Sequence, residues 1–237
     1  MIPTYRATKI KEPLVIDGRL DKTVWQKAEA VPLVIVDTGA TPKATTTARL
    51  LWDDKFLYAG FECVDTDIWA TLTKHDEPLY NEDAVEFFIC PRPPKTKAGV
   101  WNYFELEWSA RNVSFDAFIL HPRTASDQKR SAALRGMLDW TCDGLQNAVT
   151  LDGKLNNSHP KKSAAPRKPG RGWTLEAAIP FSELVTAPHI PPKKGDVWRV
   201  NFLRIDHTKD ASEFQAWSPT GRLDYHVPER FGKLVFA

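Results

Sequence analysis

The feature that most constrains this chain is a succession of short apolar runs with almost no helical patterning between them. Runs rich in aromatic and β-branched residues occupy 4–9, 33–37, 46–52, 56–64, 84–90, 102–109, 114–120, 146–151, 173–179, 196–206, 214–217 and 233–236. Most are bounded by Gly, Pro, Asn or Asp, as strands are. In 84–90, Val85, Phe87 and Ile89 share one face, and Glu86 and Phe88 share the other. In 102–109, Phe104, Leu106 and Trp108 oppose Tyr103, Glu105 and Glu107. Asp53 and Asp54 sit between two runs and read as a hairpin turn. Helical signals are confined to 20–28 and 181–185. The pattern specifies an all-β chain, most economically an antiparallel two-sheet β-sandwich with one or two very short helices. Residues 1–237 read as a single domain.

Composition sets the remaining bounds. Lys plus Arg is 32 and Asp plus Glu is 30, a formal charge of +2. That balance argues against a generic nucleic-acid binder. Five bases and no acid fall in one Pro-rich segment at about 155–171, which reads as an exposed basic loop. No apolar run approaches the ~20 residues of a membrane span, and no signal peptide is visible at the start. The three cysteines lack CxxC spacing, so neither a disulfide scaffold nor a zinc site is indicated. No phosphate loop or Ser-His-Asp order is present.

Six segments then fall into a recognisable order: VIDGRLDKTVWQKA, ARLLWDDKFLYAGFECVD, LYNEDAVEFFI, WTLEAAIPFSEL, GDVWRVNFLRID and AWSPT followed by HVPERFGKLVF. Together they resemble the family 9 carbohydrate-binding modules and their DOMON-like, jelly-roll-like relatives. The resemblance implies a sugar held in a cleft between two aromatic side chains. It implies non-catalytic support of polysaccharide breakdown, a glycoside hydrolase as partner, and a secreted or periplasmic setting. One clamp aromatic falls at Tyr80, three residues before Asp83, and the other at Tyr225, six before the Phe-Gly pair near the C-terminus. Both stand where well-known members have Trp. The family's hydroxyl-binding Glu is Glu86. An Arg one strand later is replaced by Glu105, and a Gln on the late long strand by Leu203.

The residues themselves support a binding surface of this kind. A sugar offers apolar C–H faces to aromatic rings and a polar edge to charged or amide groups. Tyr80 and Tyr225 lie in loops at strand ends, where side chains reach solvent. Glu86, Glu105 and Glu107 face away from the apolar sides of their strands, giving either a solvated charged face or a pocket of clustered acids. Arg204 is the candidate cation beside them. Strict alternation puts it on the Trp198 face, where it needs a carboxylate partner, and a bulge would turn it outward. His226, next to Tyr225, is a candidate donor to a ligand hydroxyl. Trp217 reads as core. No cofactor is required, but the resemblance implies a structural calcium ion, for which Asp65, Asp67, Glu82 and Asp83 offer hard oxygen ligands. Two alternatives stay open: a glycoside hydrolase using paired Glu residues, and a structural or adaptor sandwich without a sugar site.

Overall fold

The computed structural model describes residues 2–95, 99–121, 134–156, 172–207 and 212–237. Most of the basic 155–171 segment lies outside them. The strands are β1 (Thr4–Lys9), β2 (Val31–Pro32), β3 (Val34–Ile35), β4 (Thr46–Trp52), β5 (Phe56–Val64), β6 (Ala84–Cys90) and β7 (Trp101–Ser109). They continue with β8 (Ser114–His121), β9 (Arg135–Met137), β10 (Gln146–Asp152), β11 (Gly172–Pro180), β12 (Val197–Asp206), β13 (Glu213–Ala216) and β14 (Gly232–Phe236). The only helical elements among the described residues are 3₁₀ turns at Thr23–Lys27, Leu79–Asn81, Phe181–Glu183 and Pro228–Arg230.

The sheet is mixed, not purely antiparallel. Its order is β10-β11-β5-β4-β1-β14-β12-β6-β7-β8-β9, and β1 runs parallel to both β4 and β14. A parallel pair needs a long crossover, and residues 10–45 supply one between β1 and β4. Placed there, β1 joins two leaves into one curled half-barrel. The leaves face each other across the main core, where Phe61 of β5 meets Phe202 of β12 edge-on at 5.8 Å. Phe87 stacks on the same Phe202 at 4.9 Å.

Local chemistry explains the joints. Asp53 Oδ1 accepts the N–H groups of Lys55 (2.6 Å) and Phe56 (2.7 Å), which closes the β4–β5 hairpin. Trp25, in the first 3₁₀ turn, is buried and donates its indole N–H to Glu176 at 2.7 Å. Trp217 is core, as its sequence context suggests: it packs on Phe202 at 5.5 Å and over Gly232. A Cβ on Gly232 would lie 2.1 Å from the indole, so the bare backbone is what admits the ring. Cys63, Cys90 and Cys142 are buried and free.

The alternation read from β6 and β7 holds, but its outer face is not a solvated surface. Val85, Phe87, Ile89, Phe104, Leu106 and Trp108 point into the main core. Phe88 and Tyr103, on the other side, join a second apolar cluster with Leu79, Phe115, Ile119, Leu203, Tyr225 and Phe231. The segments before β6 and before β14 fold over this outer face, so every residue of β6 is buried. The same covering makes a cavity.

Candidate functional site

The outer-face cavity has a volume of about 530 Å³. Tyr80, Glu86, Glu105, Glu107, Tyr225 and His226 all line it. Two strands, β6 and β7, set the polar wall. Glu86 of β6 sits directly across from Glu107 of β7, and Glu105 follows two residues along the same face. One carboxylate oxygen from each lies within 4.8 Å of the others. All three side chains are buried. Burial pushes Glu86 and Glu107 well above the usual carboxylate range, and their acidic neighbours push them further. Burial also raises Glu105, and the nearby His226 opposes that rise. Glu86 Oε1 finds no hydrogen-bond partner among the described residues, and Glu107 is approached by the Glu105 carboxyl and the Tyr80 backbone N–H.

The aromatic residues are unequal. Tyr80 is half exposed, at 49%, with its ring edge-on to Phe115 at 6.1 Å. Tyr225 is buried rather than exposed, because its hydroxyl donates to the Arg204 carbonyl (2.5 Å) and accepts the Gln215 N–H (3.1 Å). Only its ring serves the cavity. His226 Nδ1 lies 2.7 Å from the Tyr103 hydroxyl, and its ring stacks on Phe88 at 5.3 Å. That fixes the imidazole against the wall.

Arg204 does not join this site. It follows the strict alternation of β12, without a bulge, and points between the two leaves, fully buried. There its Nη2 donates to Asp65 Oδ2 (2.9 Å) and Asp206 Oδ1 (2.7 Å). Asp83 completes a second buried triad, again with oxygens within 4.8 Å of one another. Sequence reasoning missed Asp206, although its position two residues after Arg204 on one strand signals a shared face.

The calcium candidates are engaged by the chain itself. Asp83 accepts the N–H groups of Trp69 (2.7 Å) and His207 (2.8 Å), one at each oxygen. Glu82 accepts the Thr71 and Leu72 N–H groups and the Thr71 hydroxyl. Asp65 binds Arg204 and caps the Asp67 N–H at 3.0 Å, and Asp67 is itself buried. A guanidinium already bridges Asp65 and Asp206, so a cation at that cluster would compete with Arg204 for the same oxygens.

The cavity's apolar lining was also missed: Phe115, Ile119, Leu134, Leu138, Phe214 and Leu223. The alternation of Phe115, Ala117 and Ile119 along β8, opposite Glu107 and Glu105 in register, was the available signal. Leu134, Leu138 and Leu223 carry no periodicity that marks them.

Residues 16–133 match the family described as "Carbohydrate family 9 binding domain-like". The chain is 32% identical over 114 residues to an exoglucanase XynX of Acetivibrio thermocellus, which covers 48% of this chain and 10% of that protein. It is also 32% identical over 228 residues to an endo-1,4-beta-xylanase C of Paenibacillus barcinonensis, covering 93% of this chain and 16% of that protein. The chain thus spans only a small part of either enzyme. Among solved structures, a carbohydrate binding module family 9 of Caldicellulosiruptor kristjanssonii in complex with cellotriose superposes with a TM-score of 0.60 at 18% identity. That match covers 98% of this chain and 93% of the other.

Proposed function

We propose that this family 9 carbohydrate-binding-module-like domain holds a mono- or oligosaccharide in the outer-face cavity, without catalysing its cleavage. The observation that carries the reading is the gathering of Tyr80, Tyr225, Glu86, Glu105, Glu107 and His226 around one cavity of about 530 Å³. Such a volume, largely apolar with a few convergent polar groups, suits a small ligand. The rings of Tyr80 and Phe115 offer surfaces to sugar C–H faces, and the glutamates accept its hydroxyl protons. Exoglucanase and xylanase relatives suggest a role beside enzymes that break down polysaccharides.

The hydrolase alternative is weaker on geometry. A glycosidase needs two carboxyl groups flanking the scissile bond, about 5–5.5 or 6.5–9.5 Å apart. Here the carboxylates occupy adjacent positions on one wall, within 4.8 Å of one another. They address one edge of a ligand rather than opposite faces of a bond.

Calorimetric titration with a panel of mono- and oligosaccharides tests the proposal. Saturable binding is expected for at least one sugar, with a loss of tenfold or more in Tyr80→Ala. Binding that survives both Tyr80→Ala and Tyr225→Ala unchanged would remove this cavity as the site.

A further inference from the structure

The cavity gathers acidic side chains that no cation of its own walls pairs, so without a ligand burial keeps Glu86 and Glu107 holding their protons. Glu86, Glu105, Glu107 and Asp224 line it, and no Lys or Arg does among the described residues; His226 is the sole basic side chain there. Buried carboxylates are ordinarily matched by a cation or by hydrogen-bond donors, since an unmatched one is costly. Here Glu86 Oε1 is buried at the wall with no hydrogen-bond partner among the described residues, while the Glu105 and Glu107 carboxyl groups lean on each other. These carboxyl groups converge, because register sets Glu86 opposite Glu107 and alternation brings Glu105 to the same side.

A ligand hydroxyl offers one donor and no charge. An alkylammonium offers three donors from one atom and a full positive charge, which matches the three clustered carboxyl groups in number and favours their ionised forms when it binds. The remainder of the cavity is apolar, with Phe115, Ile119, Leu138, Phe214 and Leu223 around it. Those side chains offer apolar surface beside the buried carboxyl groups, where a charge pair is stronger than in bulk water. A bare divalent ion would use the carboxylates and leave the apolar volume empty, whereas a pyranose ring fills it. The geometry points to an amino sugar as the ligand class: a saccharide whose protonated amine sits among Glu86, Glu105 and Glu107 while its ring packs beside Tyr80 and Phe115. This inference rests on the saccharide-binding reading above and specifies its ligand.

The test is calorimetric titration of the full chain at neutral pH, in chelator, with glucose, glucosamine and N-acetylglucosamine and with the β-1,4-linked trimer of each. N-acetylation removes the charge from the same ring, and glucose controls for the bulk of the acetyl group. The amine form is expected to bind about tenfold tighter than both neutral forms, the scale of one charge-assisted hydrogen-bond set. Glu105→Gln is expected to erase that preference. The substitution keeps the shape and removes a buried like charge, so its thermal melt should stay cooperative; Glu107→Gln serves as a second variant if it does not. Glucose or cellotriose binding as tightly as the amine form would overturn the amino-sugar assignment and leave the saccharide reading standing. No binding by any sugar, with a native melt, would overturn both. A calcium signal without chelator that vanishes in Glu105→Gln, with no preference for the amine, would hand the triad to a metal and overturn the inference.

Discussion

Two buried acid triads lie in this fold, one between the leaves and one on the outer face of β6 and β7, and they are balanced in different ways. Asp65, Asp83 and Asp206 sit between the leaves, and Arg204 supplies their positive charge from within the chain. Glu86, Glu105 and Glu107 sit on the outer face beside a cavity, with His226 the nearest basic group. The first triad is matched from within: Arg204 and the backbone N–H groups of Asp67, Trp69 and His207 donate to it. The second keeps an unfilled acceptor, Glu86 Oε1, against open volume. Spacing and burial are alike, and what separates the two is whether the counter-charge is built in.

The largest expected effect breaks the aspartate triad. Arg204→Met removes the guanidinium between Asp65 and Asp206 and should cost about 3–5 kcal/mol, read as a drop in the urea midpoint. A variant as stable as the parent would mean that Arg204 does not balance that triad.

The glutamate triad should respond with the opposite sign. Glu86 and Glu107 titrate above their ordinary value of 4.5 when folded. The folded chain therefore holds protons that the unfolded chain releases, and their contribution to stability falls as pH rises from about 4.5 through the raised values. Glu107→Gln removes part of that penalty. Its stability relative to the parent should grow with pH and reach a gain on the order of 1 kcal/mol near neutrality. Denaturation midpoints measured across this range would refute the account if the variant lost ground as pH rose.

Tyr225 touches both regions, with its hydroxyl on the Arg204 carbonyl and its ring on the cavity. Tyr225→Phe orphans the Gln215 N–H and should cost about 1–3 kcal/mol. Tyr80→Ala, at a half-exposed position, should change stability by no more than ~0.5 kcal/mol while losing ligand binding. Equal stability losses in the two variants would erase the distinction drawn between them. The smallest effect concerns calcium. Because Arg204 already neutralises the aspartate triad, adding calcium or chelator should move the melting temperature by less than about 1 °C, and a larger calcium-dependent rise would reveal a site on the native state.

Much of this was legible in the sequence because period-2 alternation is a strong signal. The strands β4, β5 and β6 end where the turn residues place them, and the face assignments of Val85, Phe87, Glu86, Glu105 and Glu107 follow directly from parity. Arg204 was legible only in part: alternation put it inside with a carboxylate partner, but its assignment to the glutamate surface as a candidate cation does not hold. What parity does not encode is which leaf a strand joins and what covers its outer side. The parallel placement of β1 depends on pairing between the two ends of the chain, to β14. The burial of Tyr225 depends on backbone groups of β12 and β13 that its loop meets only after folding. β9 was invisible because Arg135, Gly136 and Met137 are all exposed and carry no alternation.

The central claim is that the outer-face cavity, and not another surface, receives a saccharide. The most direct measurement is amide shift mapping of the isotopically labelled full chain, titrated to saturation with the sugar that binds best in calorimetry. The account predicts shifts concentrated at Tyr80, Glu105, Glu107, Phe115, Ile119 and the 223–226 loop, with the Asp65–Arg204–Asp206 region unmoved. Shifts centred instead on the separate surface hollow around Lys9, Trp52 and His189 would contradict it.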